Sequence, residues 1–542
     1  MTPFPGMRIM TRSAPFRVVC PLLLLLARLP LGAQQPTGGG STLTEQLKQE
    51  VLREVSALQP LSQQITDMVF SFAELGFQEH RTAAYLTGIL KQEGFTIETG
   101  CAGIPTCYVA RWGSGAPVIG FMGDIDGLPE TSQKPGVPWR EPLVDGGPGH
   151  GEGHNSTPAV DLVAAIATRR VLARHRLPGE LRVIPGVAEE LVASRVYMVN
   201  AGLFRGLDAM LSTHVGSDLR TSYGVSGSGL VSTVFTFAGQ SAHSAGSPWA
   251  GRSALDAVEL MNIGWNFRRE HLRLQQRSHY VIPNGGSQPN VVPSEASVWY
   301  YFRELEYPRI KELHELGQTM ARAAAQMTGT TVTERPLGAA WPQSYNQPMA
   351  EAMHANILAV GLPQWSEADQ AFAKAVQAMA GQQQPEGLRT QLQQELQKAE
   401  QGMGGGSDDI AEVSWNIPTV RLNYPANIPG LTSHHWSSAI AMATPIAHQG
   451  ANYGARVIAL TAIDLLTDPQ LLARAKQYFT DVTTKDLKWV SLIPPETRPP
   501  VELNRERMTA FAPQLEKLSY DPKRFRTYLD QLGVRYPTLS RQ

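Results

Sequence analysis

The first half of the chain alternates between apolar runs of strand length and longer stretches with apolar side chains at helical spacing. Strands are predicted at 95–98, 118–123 and 181–184, and helices at 43–80, 84–93 and 159–175. The run at 118–123 is almost entirely apolar, as expected of a strand buried on both faces. Strand, helix and strand in this order predict a parallel α/β sheet.

The pattern changes near Gly224. Strands are predicted at 230–237 and 296–302, and helices at 253–269 and 309–328. This β-α-β-α order within about 110 residues has the size of a small inserted α+β domain. Beyond it, residues 348–400 and 455–485 are predicted to be helical, and residues 495–542 are rich in proline and charge and are expected on the surface.

The N-terminus has the order of a secretory signal peptide. Arg8, Arg12 and Arg17 precede an apolar run over 18–27, which ends in small residues before Gln34. The run is about half of the ~20 residues needed to cross a bilayer, so no stable membrane anchor is expected. We therefore predict a secreted or periplasmic protein.

The domain limits follow from these changes of pattern. They are a signal peptide at 1–33, an α/β domain made of 43–223 and 341–490, a smaller inserted domain at 224–340, and a C-terminal extension at 491–542.

Composition narrows the function classes. The chain is 42% apolar and 18% charged, with a net charge of -1, so a broadly basic nucleic-acid surface is not expected. Of the three cysteines, Cys101 and Cys107 remain after signal removal. Their spacing is compatible with a disulfide across a short loop or with two free thiols.

Candidate chemistry is densest in a glycine-rich block at 149–155. His150, Glu152 and His154 are separated by single glycines. Glycine allows the backbone to fold tightly, so closely spaced side chains can converge on one point. Neutral imidazole and carboxylate are ordinary ligands of zinc and similar divalent ions.

Further carboxylates and histidines follow other apolar runs. Glu189 and Glu190 come directly after a predicted strand, and two adjacent carboxylates there offer a metal ligand and a base for water. His214 follows an apolar run, and His434 and His435 lie far along the chain. Sites in parallel sheets collect at the carboxyl ends of strands, where these residues are expected.

Taken in order, these motifs resemble the aminoacylase and carboxypeptidase G family of dinuclear metallopeptidases. The likeness covers about residues 60–490 and is strongest to the amidohydrolase branch that includes the aminobenzoyl-glutamate utilisation protein B. The motifs lie at 123–130, 149–155, 188–190, 241–244, 251–257, 288–293, 407–409 and 434–436.

The resemblance implies a fold, a cofactor and an assembly. It implies an α/β fold: a two-metal catalytic domain with a mostly parallel sheet, interrupted by a smaller ferredoxin-like α+β lid and dimerisation domain. It also implies two divalent metal ions per chain, zinc or manganese, and a homodimer formed through the lid domain. The implied substrate is a small amide or peptide.

The resemblance also implies residue roles. Glu189 matches the general base, Asp126 the acidic residue that supports the first ligands, and His243 the residue that stabilises the oxyanion. Asn290 and Arg252 match residues that hold a substrate carboxylate, and His243 and Asn290 often act from the partner subunit. The implied metal ligands are Glu152, His154, Glu190, His214 and His434, with His435 as the alternative to His434.

The sequence departs from this branch at Glu152, where cysteine is usual. Glutamate can bridge two ions through its two oxygens, and as a harder ligand it favours manganese-like metals. A full two-metal site and a site reduced to one metal both remain open. The predicted function is cleavage of the amide bond of N-acyl amino acids, aminobenzoyl-glutamate-like substrates or small peptides by a metal-activated water. The alternative is a catalytically silent homologue that serves as a binding or dimerisation module.

Overall fold

This computed structural model describes residues 42–402 and 406–541, so the predicted signal peptide lies outside the described residues. The described residues form two β-sheets covered by helices. The strands are β1 Thr96–Thr99, β2 Tyr108–Ser114, β3 Val118–Met122, β4 Gly179–Val183, β5 Ala209–Gly216, β6 Arg220–Ser226, β7 Gly229–Ala238, β8 Arg277–Asn284, β9 Glu295–Glu304, β10 Thr331–Ala340, β11 Gln343–Tyr345, β12 Gln397–Lys398 and β13 Thr419–Pro425.

Helices account for most of the remaining regular structure. They are α1 Thr42–Ala57, α2 Gln59–Phe72, α3 His80–Gln92, α4 Thr157–His175, α5 Arg195–Asn200, α6 Ala254–Arg268, α7 Tyr307–Thr328, α8 Gln347–Val360, α9 Glu367–Met379, α10 Ile410–Ser414, α11 Trp436–Ala439, α12 Pro445–Thr467, α13 Pro469–Tyr478, α14 Arg505–Leu518 and α15 Tyr528–Gln531. None of the described helices is both long and apolar enough to cross a bilayer.

The larger sheet has a parallel centre. Its strand order is β1-β2-β4-β3-β5-β13-β6-β11, with β12 paired to β6, and the neighbours among β4, β3, β5 and β13 run parallel. The connection from β3 through α4 to β4 is the predicted strand–helix–strand unit. Helix α4 packs with α1, α2 and α12 against the central strands, and its apolar residues up to Leu172 are buried. The predicted α/β fold class is confirmed.

The smaller sheet is wholly antiparallel, in the order β10-β7-β9-β8. The chain order β7-α6-β8-β9-α7-β10 is that of a ferredoxin-like unit. Aromatic side chains fill the space between the sheet and its two helices: Phe235, Phe237, Trp265, Tyr300 and Phe302. The sequence pattern revealed only β7 and β9 among these strands, because β8 and the first half of β10 are largely exposed and lack a buried apolar run.

Two predicted helices were too long. The stretch predicted over 43–80 is divided between α1 and α2, with Pro60 in the first turn of α2, and ends where Ala73 adopts a left-handed conformation (φ 49°). The stretch predicted over 348–400 is divided into α8 and α9, which are separated by residues 361–366, and it contains no helix after Met379. Gly381 and Gly387 then adopt positive φ (89° and 86°), and the segment lacks the buried apolar stripe that stabilises a helix.

The structure shows how the predicted C-terminal extension packs. The C-terminal extension forms α14, whose Met508 and Leu515 pack with Ala73, Leu75 and Val144 in a small apolar cluster.

The two mature cysteines lie in the connection between β1 and β2. Cys101 and Cys107 are buried free thiols in the structure. Of the two alternatives, the structure therefore has the pair of thiols and not the disulfide.

Candidate active site

The acidic and histidine motifs converge at the carboxyl ends of the parallel strands. Asp126 follows β3, Glu189 and Glu190 follow β4, and His214 lies near the end of β5. The glycine-rich block precedes α4 and reaches the same edge of the sheet. Gly153 has a φ of 123°, and a Cβ there would lie 2.3 Å from the sulfur of Met442. Only glycine fits this position, which turns the chain so that the side chains before and after it face the cluster.

Glu152 lies at the centre of three imidazoles. Its Oε2 is 3.3 Å from Nε2 of His434 and 3.7 Å from Nε2 of His154, whereas its Oε1 is 3.6 Å from Nε2 of His214. The two oxygens of one carboxylate therefore face different histidines. A carboxylate in this position has the arrangement needed to bridge two ions.

His154 connects the rest of the cluster. Its Nδ1 is 3.4 Å from Asp126 Oδ1 and 3.7 Å from Glu190 Oε1, and the ring is fully buried. The backbone N–H of Glu190 donates to Asp126 Oδ2 at 3.0 Å. Asp126 thus orients both His154 and the turn that carries Glu189 and Glu190.

The cluster has the unsatisfied atoms of a cation site. Among the described residues, no hydrogen-bond partner reaches Asp126 Oδ1, Glu190 Oε2 or either ring nitrogen of His154, although all are buried. Buried polar atoms are normally paired, so these oxygens and nitrogens call for a ligand. Oxygen and imidazole donors within 4.8 Å of one another, as in Glu152, His154 and Glu190, fit a divalent metal ion.

Burial and mutual repulsion raise the pKa values of the two adjacent glutamates, Glu189 and Glu190. Burial raises the pKa of Glu189 well above its ordinary value, and the nearby Asp408 and Asp124 raise it further. Burial likewise raises the pKa of Glu190, with Glu152 adding to the effect. A divalent cation would reverse this, because it stabilises the ionised carboxylates.

The histidines and the carboxylates of the cluster shift one another's pKa values. Burial by itself would raise the pKa of Glu152, but His434, His214 and His154 hold it below its usual range. Burial would lower the pKa of His154, yet Asp126 and Glu190 raise it well above normal. The imidazoles therefore favour the ionised form of Glu152, and Asp126 and Glu190 favour the protonated form of His154.

The structure separates the adjacent histidines. His434 has a positive φ of 54°, and its Nε2 is 3.6 Å from Glu190 Oε2 in addition to its contact with Glu152. His435 turns away, and its Nδ1 lies 2.8 Å from the hydroxyl of Ser437 at the start of α11. His434, and not His435, lies in the cluster.

His150 is a structural residue of the glycine-rich block. Its Nε2 contacts the carbonyl of Val69 at 3.1 Å, and burial lowers its pKa to about 3. It does not face the carboxylates that surround His154.

Beneath the cluster lies a buried ionic layer that sequence reasoning missed. The guanidinium of Arg195 contacts Asp124, Asp408 and Asp409, and its side chain is fully buried. Asp409 also accepts the backbone N–H groups of Ser194 and Arg195, each at 2.9 Å. Nothing in the sequence around Arg195 marks it, although the motif at 407–409 pointed to its partners.

A cavity of about 550 Å³ opens above the cluster, lined by Glu152, Glu189, Glu190, His214 and His434. Arg303, from β9 of the smaller sheet, lines it as well. Its Nη1 donates to the Ser407 hydroxyl at 3.1 Å, its Nε is buried without a partner, and burial lowers its pKa. Among the described residues, no carboxylate lies within ion-pair distance of this guanidinium. Sequence reasoning also missed Arg303, which carries no motif.

Three predicted site residues lie elsewhere. His243, Asn290 and Arg252 are exposed and do not line this cavity. His243 Nδ1 accepts the N–H groups of Ala245 and Gly246, and Arg252 donates to the carbonyls of Trp249 and Gly251. Within one chain the structure does not bring these residues to the cluster.

Comparison with known proteins agrees with this geometry. A family model described as a peptidase dimerisation domain matches residues 225–328. One of the subunits of the p-aminobenzoyl-glutamate hydrolase of Escherichia coli is 32% identical over 447 residues, which cover 77% of this chain and 92% of that protein. The chain belongs to the M20 peptidase family.

Other relatives share less sequence. The Xaa-Arg dipeptidase of Mus musculus is 27% identical over 310 residues, covering 55% of this chain and 68% of that protein. Among solved structures, an aminohydrolase of methicillin-resistant Staphylococcus aureus aligns with a TM-score of 0.54 at 19% identity, covering 77% of this chain and 100% of that one. At 19% identity, the likeness to this solved structure concerns the fold alone.

The family and the geometry agree on a class of chemistry. The chain is a metal-dependent amidohydrolase, and the comparisons give no support to a silent binding module.

The ionic layer yields a stability prediction. Arg195→Met leaves the buried carboxylates of Asp124 and Asp409 without their counter-ion, and should lower the free energy of unfolding by about 3–5 kcal/mol in urea titrations. Arg170→Met, a matched change in the partly exposed pair with Glu93, should cost much less. Equal losses in the two variants would contradict a special role for the buried layer.

Proposed function

We propose that this chain hydrolyses the amide bond of a small substrate that bears a carboxylate, at a centre of two divalent ions. The observation that carries the proposal is the position of Glu152, whose two oxygens face His214 on one side and His154 and His434 on the other. The proposed ligands are Glu152, His154, Glu190, His214 and His434. Oxygen-rich ligation by two glutamates favours manganese or zinc.

The ions would provide an activated water and polarise the substrate carbonyl. Glu189 is the proposed general base. It lines the cavity and is buried, and its Oε2 lies 4.0 Å from Nε2 of His154. It would take a proton as water adds to the carbonyl carbon, and return that proton to the nitrogen when the C–N bond breaks. Asp126 would hold His154 and the Glu190 backbone in place.

Metal analysis tests the centre directly. The purified mature chain should contain about two zinc or manganese ions, lose hydrolysis of N-acyl amino acids on chelation, and regain it when either metal is added. One ion with full activity would indicate a site reduced by Glu152. No ion and no activity would overturn the proposal.

Glu189→Gln is the matched control for this experiment. It keeps the shape of the side chain but removes the base, so turnover should fall by at least about a thousand-fold while metal content stays unchanged. Activity near that of the wild type would show that the base is wrongly assigned.

The substrate class follows from Arg303. A guanidinium that lines the cavity without a carboxylate partner offers two N–H groups to a planar anion. The Escherichia coli relative is named for p-aminobenzoyl-glutamate, an amide that ends in carboxylates. We therefore propose acylated or aroylated amino acids with a free carboxylate, including aminobenzoyl-glutamate-like amides, as substrates.

Arg303→Met should raise KM for such a substrate by about ten-fold or more, because a charge-assisted hydrogen bond is lost. The same substrate with a carboxamide in place of the carboxylate should be affected little. Arg277→Met, on neighbouring β8, binds only backbone carbonyls and should behave as wild type. Equal losses for the acid and the amide would contradict the carboxylate role.

We also propose a homodimer formed through the smaller sheet. Strand β8 lies at one edge of this sheet. Its Val281 and Ile282 are 58% and 44% exposed, and Phe267 of the preceding helix α6 is 77% exposed. An edge strand with exposed apolar side chains is suited to pairing with a second copy. In such a dimer, His243 and Asn290 would serve the partner's cavity, since they do not line their own.

Replacing Val281 and Ile282 together by lysine should convert the dimer into a monomer in analytical ultracentrifugation, because two copies would bring like charges together. Hydrolysis should fall with the dimer if the lid residues act across it. Leu358→Lys changes an apolar residue on α8 that is 41% exposed, close to Ile282, and should leave the dimer intact. A wild-type monomer with full activity would exclude the proposed assembly.

Secretion and the domain limits complete the proposal. Residues 1–33 would direct export and be removed. Residues 43–223 and 341–490 would form the catalytic domain, residues 224–340 the lid, and residues 491–542 an extension. Arg252 would support the lid substrate site together with Asn290.

A further inference from the structure

The turn that carries Glu189 and Glu190 is held from behind by a loop of the N-terminal region. Ala188, which precedes the two glutamates, has a left-handed φ of 52°, and its backbone N–H donates to Glu79 Oε1 at 2.8 Å. Glu79 is fully buried and also accepts the hydroxyl of Thr106 at 2.9 Å. The position of this turn therefore depends on the position of Glu79.

The same loop touches the turn a second time at Gly76. A Cβ on Gly76 would lie 2.9 Å from Cα of Ala188 and 3.1 Å from Oδ2 of Asp126. The backbone of this loop is thus in direct contact with both Ala188 and the carboxylate that orients Glu190. A shift of the loop would move these groups as well.

The C-terminal extension fixes this loop. Asn504 Nδ2 donates to the carbonyl of Gly76 at 3.2 Å, and Gln78 Nε2 donates to the carbonyls of Val501 and Leu503 at 3.0 and 2.9 Å. Helix α14 begins directly after Asn504, and its Met508 and Leu515 are buried against the start of the loop. The extension therefore binds the loop through both polar and apolar contacts.

We infer that the C-terminal segment 501–518 is a positioning element for the catalytic turn. Gln78 and Asn504 are positioning residues in this role: they hold the loop 73–79, and the loop holds Ala188 and Asp126. Neither residue lines the cavity, so neither touches substrate. The inference rests on the proposed function, in which Glu189 is the base and Glu190 a ligand.

Small displacements of a base are costly, because reacting atoms must stay within a narrow range of distances. Loss of the contacts at Gln78 or Asn504 should therefore lower kcat by about ten-fold and leave KM for an N-acyl amino acid within two-fold. A purely structural role would instead lower the melting temperature, with kcat of the folded protein unchanged.

Two variants isolate the contacts. Gln78→Met keeps the length of the side chain and removes its donor. Asn504→Gly removes the other donor but keeps a residue suited to the φ of 62° at this position, and Asn504 makes no side-chain capping bond to α14 that would be lost. Tyr520→Phe is the control, because its hydroxyl donates to the carbonyls of Phe525 and Arg526 and makes no hydrogen bond to the described loop 73–79.

The full chain with its metals would be assayed well below each melting temperature, together with metal content. Reduced kcat in Gln78→Met and Asn504→Gly, with unchanged KM and metal content and a normal Tyr520→Phe, would support the inference. Wild-type kcat in both variants, or a loss matched by metal release or shared by Tyr520→Phe, would overturn it. An inactive wild-type chain would instead refute the proposed function, so the two failures are distinguishable.

Discussion

Buried negative charge at one edge of the larger sheet is the constraint on which the rest of the site depends. Six acidic side chains that are buried or partly buried meet there: Asp124, Asp126, Glu189, Glu190, Asp408 and Asp409. Each unpaired ion in such a place would cost several kcal/mol. Positive charge at short range offsets this cost, and so does protonation of a carboxylate whose pKa is raised.

The positive charge that faces these carboxylates lies in two layers. In the lower layer, Arg195 contacts Asp124 and Asp409, while Arg421 contacts Asp408, so two guanidinium groups of the protein itself offset most of the charge of these three carboxylates. In the upper layer the histidines face Glu152 and Glu190, and atoms there remain without partners among the described residues. The lower layer is fixed, whereas the upper layer is built to receive cations. Glu189 belongs to both, since it lies close to Asp408 and lines the cavity.

The smaller sheet has one residue in the cavity and one exposed edge. Through Arg303 at the end of β9, it places a guanidinium in the cavity of its own chain. Through β8, it presents an exposed edge with apolar side chains away from its buried core. In the proposed function, this one inserted unit would bind substrate in its own subunit and contact a second copy. The C-terminal extension contacts the loop 73–79, which in turn contacts the turn that carries Glu189 and Glu190.

The sequence by itself determined the features that depend on local pattern. Apolar runs and apolar residues at helical spacing predicted the central strands and helix α4. The glycines around Glu152 and His154 predicted that these side chains converge on one point. It did not reveal β8, which has no buried run, or the irregular chain after Met379. Tertiary structure alone decided that His434 rather than His435 joins the cluster. It also brought Arg195 to Asp409, 214 positions away, and Asn504 to Gly76, 428 positions away. Such contacts leave no trace in neighbouring residues, because they arise only when distant segments pack around one buried charge cluster.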